Sequence, residues 1–470
     1  MFCSFYRASR ALEFLVSVSL VSSVLFTPSH AWSESAAVLP KGRSRMSLSL
    51  ASTASVGQNF NSDGKPESVT AAYGMDLNAA QLTQIKPDVG NLVRILNDTG
   101  LRYNKNERQG VDHGLTLDSA YPLIGDALNA GTFGVDAKAS RLQYNFAYQV
   151  GVTDRLTVGF FVPYIKAQVK VNSSISGVNT AGDISYAFTG VQANQPTGST
   201  TNPSGNTSGN PSSSGLPIGD YLNQLAGINT ETFQSVLAGK GYDRLQDSET
   251  HGLGDVVMGA RFNYLNKTVK KAGYFLNSVQ LGTTAPTGRL KSPTQLAGVD
   301  LGSGTWDVTG SHIANYAPWK FLTVSHSLNY TYQAPSKREL RIKKDAADIL
   351  PDASSQERLY QNLGDKYWTN LGFKLQPFRW LSIDASYEWF WKRTDRYRGG
   401  RTDLNYSTLS ANTESHLETV QLGLSISSVS AFLQKKFFIP ADLGINVYLP
   451  RRGLNTPIVA YGTAELALYF

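Results

Sequence analysis

The sequence predicts an all-β protein, a transmembrane antiparallel β-barrel of about twelve strands with long extracellular loops. Three observations lead there. Residues 140–171 read as a hairpin, with Leu142, Tyr144, Phe146, Tyr148 and Val150 alternating with Arg141, Gln143, Asn145, Ala147 and Gln149. A period of two puts one set on each face of a strand. Arms of this kind recur along the chain, each near the roughly 9 to 11 residues that a tilted strand needs to cross a bilayer, and they are joined by alternating short turns and long polar loops. Beyond the N-terminus no apolar run approaches the roughly 18 residues of a membrane helix, while 42 Gly, 23 Tyr and 21 Phe suit strands that are apolar on one face only. A soluble β-sandwich would share the first and last of these, but not the loop asymmetry.

Taken in order, the chain opens with Arg7 and Arg10, an apolar run at residues 14–26, and a small-x-small ending at Ala31. This is the pattern of a secretory signal cut after Ala31, leaving residues 32–470 as the barrel. The single cysteine, Cys3, leaves with the signal, so neither a disulfide nor thiol chemistry is expected. The formal charge of +7 is spread out, without a block of five or six like charges, which argues against nucleic-acid binding. Residues 43–53 read as the first strand, with Met46, Leu48 and Leu50 opposite Ser47 and Ser49. Residues 54–138 are the least legible: Val69, Ala71, Tyr73 and Met75 alternate, whereas Leu82, Ile85, Val89, Leu92, Val93 and Leu96 recur near helical spacing, interrupted by Pro87. The segment reads as a plug, a long outer loop or an extra hairpin, the last raising the strand count to fourteen.

Thr153-Asp154-Arg155 closes the hairpin. Near Pro163 the apolar phase changes, from Phe160 and Val162 to Ala167, Val169 and Val171, which predicts a bulge there. Residues 172–250 form a long extracellular excursion whose core, residues 195–215, is Gly, Ser, Asn and Pro and hence flexible. Two short helices follow, one ending at Gly227 and one at Gly239. From His251 the strands come regularly, in order residues 255–265, 274–287, 305–316, 321–333, 367–376, 380–392, 419–427, 441–449 and 458–470. With the hairpin and the first strand they number twelve, an even count that returns both termini to the periplasmic side. The last strand alternates and ends on Phe470, a pattern that resembles the signal read by the outer-membrane assembly machinery.

The clearest strand assigns the faces. Leu381, Ile383, Ala385, Tyr387, Trp389 and Trp391 form a lipid face ending in aromatics. Asp384, Glu388 and Lys392 must then face the lumen, because charge at membrane depth is costly in lipid. The same logic places Arg141, Gln143, Asn145, Gln149, Arg261, Asn263, Lys374, Gln421 and Glu465 inside. These groups either line a solute path and set its selectivity or brace the wall as paired charges. Signals of catalysis are weak. His113, His251, His312, His326 and His416 are scattered without metal-binding spacing, and no cofactor is expected. Ser325-His326-Ser327 has the residues of an outer-membrane phospholipase dyad, but alternation points His326 away from both serines.

The run Tyr148-Gln149-Val150-Gly151-Val152-Thr153-Asp154-Arg155-Leu156-Thr157-Val158-Gly159 with Val162-Pro163-Tyr164 resembles the MetA-pathway of phenol degradation family of outer-membrane transporters. Gly252-Leu253-Gly254-Asp255-Val256, Thr284-Ala285-Pro286-Thr287-Gly288, Leu301-Gly302-Ser303-Gly304-Thr305-Trp306-Asp307 and Leu449-Pro450-Arg451-Arg452-Gly453-Leu454-Asn455 follow in that family's order. The resemblance covers roughly residues 140–470. It implies a barrel concerned with uptake of aromatic or other hydrophobic compounds, and it supplies no catalytic residues. The expectation is a channel or transporter for small solutes; an outer-membrane hydrolase and a barrel acting structurally or adhesively through its loops are the alternatives.

Overall fold

The structure is a computed structural model that describes residues 35–70, 75–85, 88–104, 114–193, 218–345, 348 and 350–470. The signal segment and the low-complexity stretch 195–215 lie outside the described residues. The chain divides into two compact units, one of residues Met1–Ala72, Asp136–Val171 and Lys240–Phe470, the other of Tyr73–Val135 and Asn172–Gly239.

The barrel is built on twelve long strands: β1 (Ser44–Thr53), β2 (Asn129–Thr153), β3 (Leu156–Asn179), β4 (Val256–Val269), β5 (Gly273–Ala285), β6 (Asp307–Trp319), β7 (Leu322–Gln333), β8 (Lys366–Phe378), β9 (Leu381–Lys392), β10 (Ser415–Ser427), β11 (Ala441–Leu454) and β12 (Tyr461–Tyr469). Each pairs with its neighbours in sequence, and β1 pairs with both β2 and β12, so the sheet closes into an antiparallel twelve-strand barrel. At the seam Leu48 stands between Leu466 and Phe146. Reciprocal bonds link Ser44 and Phe470, N to O at 3.0 and 2.9 Å, and bring the two ends of the barrel chain together on the short-turn side. Closure pairs each of the twelve barrel strands on both sides, the condition for crossing a bilayer with strands. Two short strands, Met75–Asn78 and Ser248–Leu253, pair only with the extensions of β2 and β3 and do not join the ring.

Alternation sets the two faces as predicted. Leu281 and Leu328, 63% and 51% exposed, point outward, while Gln143 and Asn263, each 2% exposed, point inward. The inversion, apolar outside and polar inside, is the arrangement lipid demands. Stacked aromatic pairs ring the short-turn end, Trp319 on Phe321 and Phe378 on Trp380. Tyr367 on Trp391 marks the opposite end, in keeping with interfacial girdles.

The bulge expected at Pro163 is absent from β3. Phe161, Ile165, Ala167 and Val169 stay buried at every second position past the proline, and Lys166, Gln168 and Lys170 are exposed. The pairing of β3 changes register by one residue between Phe161↔Val257 and Tyr164↔Leu253, so the extra residue sits in the facing chain near Gly254. The polarity swaps while the geometry does not. Above the bilayer the outer face meets water and the inner face meets folded-in chain, so the apolar residues change sides.

The second unit contains helices at the predicted periodic stretches. Ala79–Ile85 and Asp88–Asp98 lie either side of Pro87, the second burying Val89, Leu92 and Leu96. Ile218–Ala226 and Thr230–Gly239 end at the glycines that predicted them. Phe233 stacks on Phe133 at 3.8 Å, and Tyr103 donates to Asp183 at 2.9 Å.

Candidate functional site: a polar cavity in the barrel

A cavity of about 610 Å³ lies toward the short-turn end of the barrel. Inward positions of all twelve strands build its wall. Lys374 of β8 faces Asp384 of β9 at 3.8 Å, and Arg45 of β1 donates to Glu465 of β12 at 2.7 Å. Ser386 donates to Gln421, which donates in turn to Asn446 at 3.2 Å. Tyr469 donates to Asp442 at 2.6 Å. Both signs of charge are present and most are paired, so the cavity offers hydrogen bonds and local dipoles rather than one net field.

The chain itself enters this space. Residues 35–41 run along the inner wall, stitched to four strands. Ala36 N donates to Asn315 of β6 at 2.9 Å, Leu39 N to Thr157 of β3 at 2.7 Å, and Lys41 N to Asp154 at 3.0 Å. Arg261 of β4 donates to the Ser35 and Ala37 carbonyls at 2.6 and 3.3 Å while its other nitrogens grip Gln280 of β5. Ser278 donates to the Ala36 carbonyl. Ala36 is fully buried against Leu276 and Ile313. At the entry, a Cβ on Gly151 would fall 2.1 Å from the Pro40 carbonyl oxygen, so only glycine lets the segment pass.

Of the predicted lumen residues, Gln149, Arg261, Lys374, Asp384, Gln421 and Glu465 border the cavity. Arg141, Gln143 and Asn145 form a ladder higher in β2, from Arg141 Nη2 to Gln143 at 2.7 Å, Gln143 to Asn145 at 2.6 Å and Asn145 to Ser49 at 2.9 Å. Asn263 is spent on the β4–β5 pair, donating to Asn277 O at 3.1 Å. Glu388 lies on the inner row of β9 but not on the cavity. Lys392 is locked to Asp395 and to Thr413 O. Sequence reasoning missed Arg45, Asp442 and Asn446, although the inward alternation of β1 and β11 carried the signal. It also missed residues 35–41, which have no periodicity to read.

A second polar cluster lies apart from the cavity, at the barrel rim. Asp255, at the entrance of β4, accepts from Gly288 N at 2.8 Å, Ser303 N at 2.6 Å and Ser303 Oγ at 3.0 Å. Thr287 Oγ1 donates to Gly254 O at 2.7 Å. Three of the five family-like motifs therefore meet on one carboxylate, and their role is to fold residues 289–304 back onto the barrel rim. A Cβ on Gly302 would lie 2.2 Å from Asp255 Oδ1. Beside it, Asp307 holds Thr305 at 2.7 Å and Lys366 at 3.9 Å, and Arg338 pairs with Asp300 at 2.8 Å. Burial in this loop pulls the Lys291 ammonium down to about 8, against the pull of Asp300.

His326 bonds Thr369 at 3.1 Å on the outer row, whereas Ser325 borders the cavity on the inner row. Base and nucleophile thus lie on opposite sides of the wall, as alternation predicted. His312 likewise turns outward to Tyr264 at 2.7 Å.

Fold and cavity together define a membrane-spanning β-barrel of the outer-membrane type. The solved structures to which the chain is similar include an outer-membrane channel from Pseudomonas putida F1, with TM-score 0.46 and 10% identity over 92% of this chain and 97% of that one. A FadL homologue of Pseudomonas aeruginosa gives TM-score 0.33 and 9% identity over 96% and 95%. The Pseudomonas putida toluene transporter TodX gives 0.27 and 10% over 91% and 89%. No protein-family model and no curated protein matches the sequence, so the resemblance to the phenol-degradation family stands on its motifs alone. The twelve-strand closure rests on the chain's own pairing.

Proposed function

We infer that the protein is a gated channel or transporter in the outer membrane of a Gram-negative bacterium, passing small solutes passively, with aromatic or hydrophobic compounds as the favoured class. The observation that carries this reading is the cavity of about 610 Å³, a size suited to a small organic molecule, partly filled by the chain's own residues 35–39. Its wall mixes Leu276, Tyr448 and Tyr469 with the paired groups Lys374, Asp384, Arg45 and Glu465. Such a wall suits an aromatic ring bearing a hydroxyl or similar polar group, in line with the motif resemblance. No catalysis and no cofactor enter the reading. Outer-membrane lipid and lipopolysaccharide would surround the outward apolar band, and the barrel-assembly machinery would read the strand ending at Phe470.

The test is permeation. Purified protein in liposomes is compared with a variant lacking residues 32–40, by swelling in small solutes and by conductance in planar bilayers. The expected result is low permeability in the full chain and a several-fold rise in the deletion. No permeability to any small solute in either protein would sink the channel reading.

A further inference from the structure

The five turns at the short-turn end are predominantly basic. Between paired strands they hold Arg155, Lys270 with Lys271, Lys320, Arg379, and Lys435 with Lys436, against the single acidic residue Asp154, itself taken up by Lys41 N. Four of these turns are two or three residues long. The fifth, residues 428–440 between β10 and β11, is much longer and is folded in its own right. A short helix, Val429–Leu433, is closed by Lys435 N to Phe432 O at 2.8 Å and Lys436 N to Ala431 O at 2.9 Å. Ser428 ties the neck, donating to Ile439 O at 2.6 Å and accepting from Ala441 N at 2.9 Å. Lys435 takes the left-handed conformation with φ 56°, a strained choice for a lysine that turns the chain back on itself.

This ordered turn exposes its apolar residues instead of burying them. Leu433 and Phe438 are 75% and 77% exposed, and the rings of Phe437 and Phe438 lie side by side at 4.8 Å. Water does not favour that arrangement, and none of these side chains belongs to a buried core cluster. The turn stands at the same end of the barrel as the stacked pairs Trp319–Phe321 and Phe378–Trp380, which mark the level of a membrane interface. Aromatic and aliphatic tips beside two lysines are what a segment lying in a lipid surface presents, rings among acyl chains and ammonium groups at the phosphates.

We propose that residues 428–440 are a binding site for anionic phospholipid of the inner leaflet, with Leu433, Phe437 and Phe438 seated between acyl chains and Lys435 and Lys436 on the headgroup phosphate. The other basic turns extend the same positive rim around the barrel. Attraction of this kind is the ordinary consequence of a basic cluster near an anionic surface. It is independent of what the lumen carries.

Native mass spectrometry of the full-length barrel, released from detergent after addition of phosphatidylglycerol, cardiolipin or phosphatidylcholine, tests this directly. The wild type should retain phosphatidylglycerol or cardiolipin several-fold more than phosphatidylcholine. The double variant Lys435→Gln/Lys436→Gln should lose that preference, and Phe437→Ser/Phe438→Ser should lower retention of all three lipids. Neither pair lies in a barrel strand, and heat-modifiable migration on gels checks that each variant is folded. A control at the other end, Arg451→Gln/Arg452→Gln, should retain the preference. Equal retention of anionic and zwitterionic lipid by the wild type overturns the proposal, as does a preference that survives in Lys435→Gln/Lys436→Gln or is lost only in the control.

Discussion

The cavity at one end of the barrel and the polar network at the other use the same residue types for opposite ends. In the cavity, Lys374 and Asp384 stand 3.8 Å apart with side chains 43% and 30% exposed. In the rim network, Lys392 and Asp395 are 3% and 4% exposed, and Lys366 and Asp307 are 7% and 9%. Solvent screens the first kind of pair, so it contributes little to stability and stays free to meet a solute. The second kind is sealed, and losing one partner strands a charge without water. The lesson is that a charged inward residue in a barrel is read by its exposure, not by its face.

The sharpest way to break this contrast is at the sealed end. Replacing Lys392 by Ala should cost about 3 to 5 kcal/mol, because the Asp395 carboxylate is left buried and short of its main partner. Urea unfolding in detergent micelles measures it, and a change below about 1 kcal/mol would mean the network is wetter than its geometry. Gly302→Val comes next. Its new side chain meets Asp255 at the heart of the loop clamp, with an expected cost of about 1 to 3 kcal/mol and faster protease cleavage within residues 289–304.

At the open end the effects move from stability to transport. Arg261→Ala removes the donors that hold the Ser35 and Ala37 carbonyls, so conductance should rise part of the way toward that of the deletion of residues 32–40. Lys374→Ala and Asp384→Ala should each change unfolding by about 1 kcal/mol or less while shifting ion preference in opposite directions, toward cations and anions respectively, as reversal potentials would record.

The smallest expected effect is a pH dependence in the rim loop. Lys291 titrates near 8 in the folded chain against 10.5 ordinarily, so between those values the unfolded loop binds more protons. Loop stability should therefore rise with pH across that window and be lowest below about 8, where the charge is present in both states. Subtilisin nicking of residues 289–304, compared between wild type and Lys291→Met at each pH, checks this: the difference should shrink as pH rises.

Whatever alternation controls could be read along the chain. Lipid on one side and water on the other force a period of two, so the strands, their two faces and the outward turn of His326 were all legible. The short and long loops and the aromatic C-terminal strand made the even strand count readable too. The rest emerged only on folding. Residues 35–41 carry no pattern, because their hydrogen bonds are made by backbone atoms to side chains far away in sequence, such as Arg261 and Asn315. The phase of β3 past Pro163 was misread because the medium on each side of the strand changes there and the strand does not. Which charged pairs are sealed and which are open was likewise hidden, since Lys374 and Lys392 look alike along the chain and differ only in how much folded loop covers them.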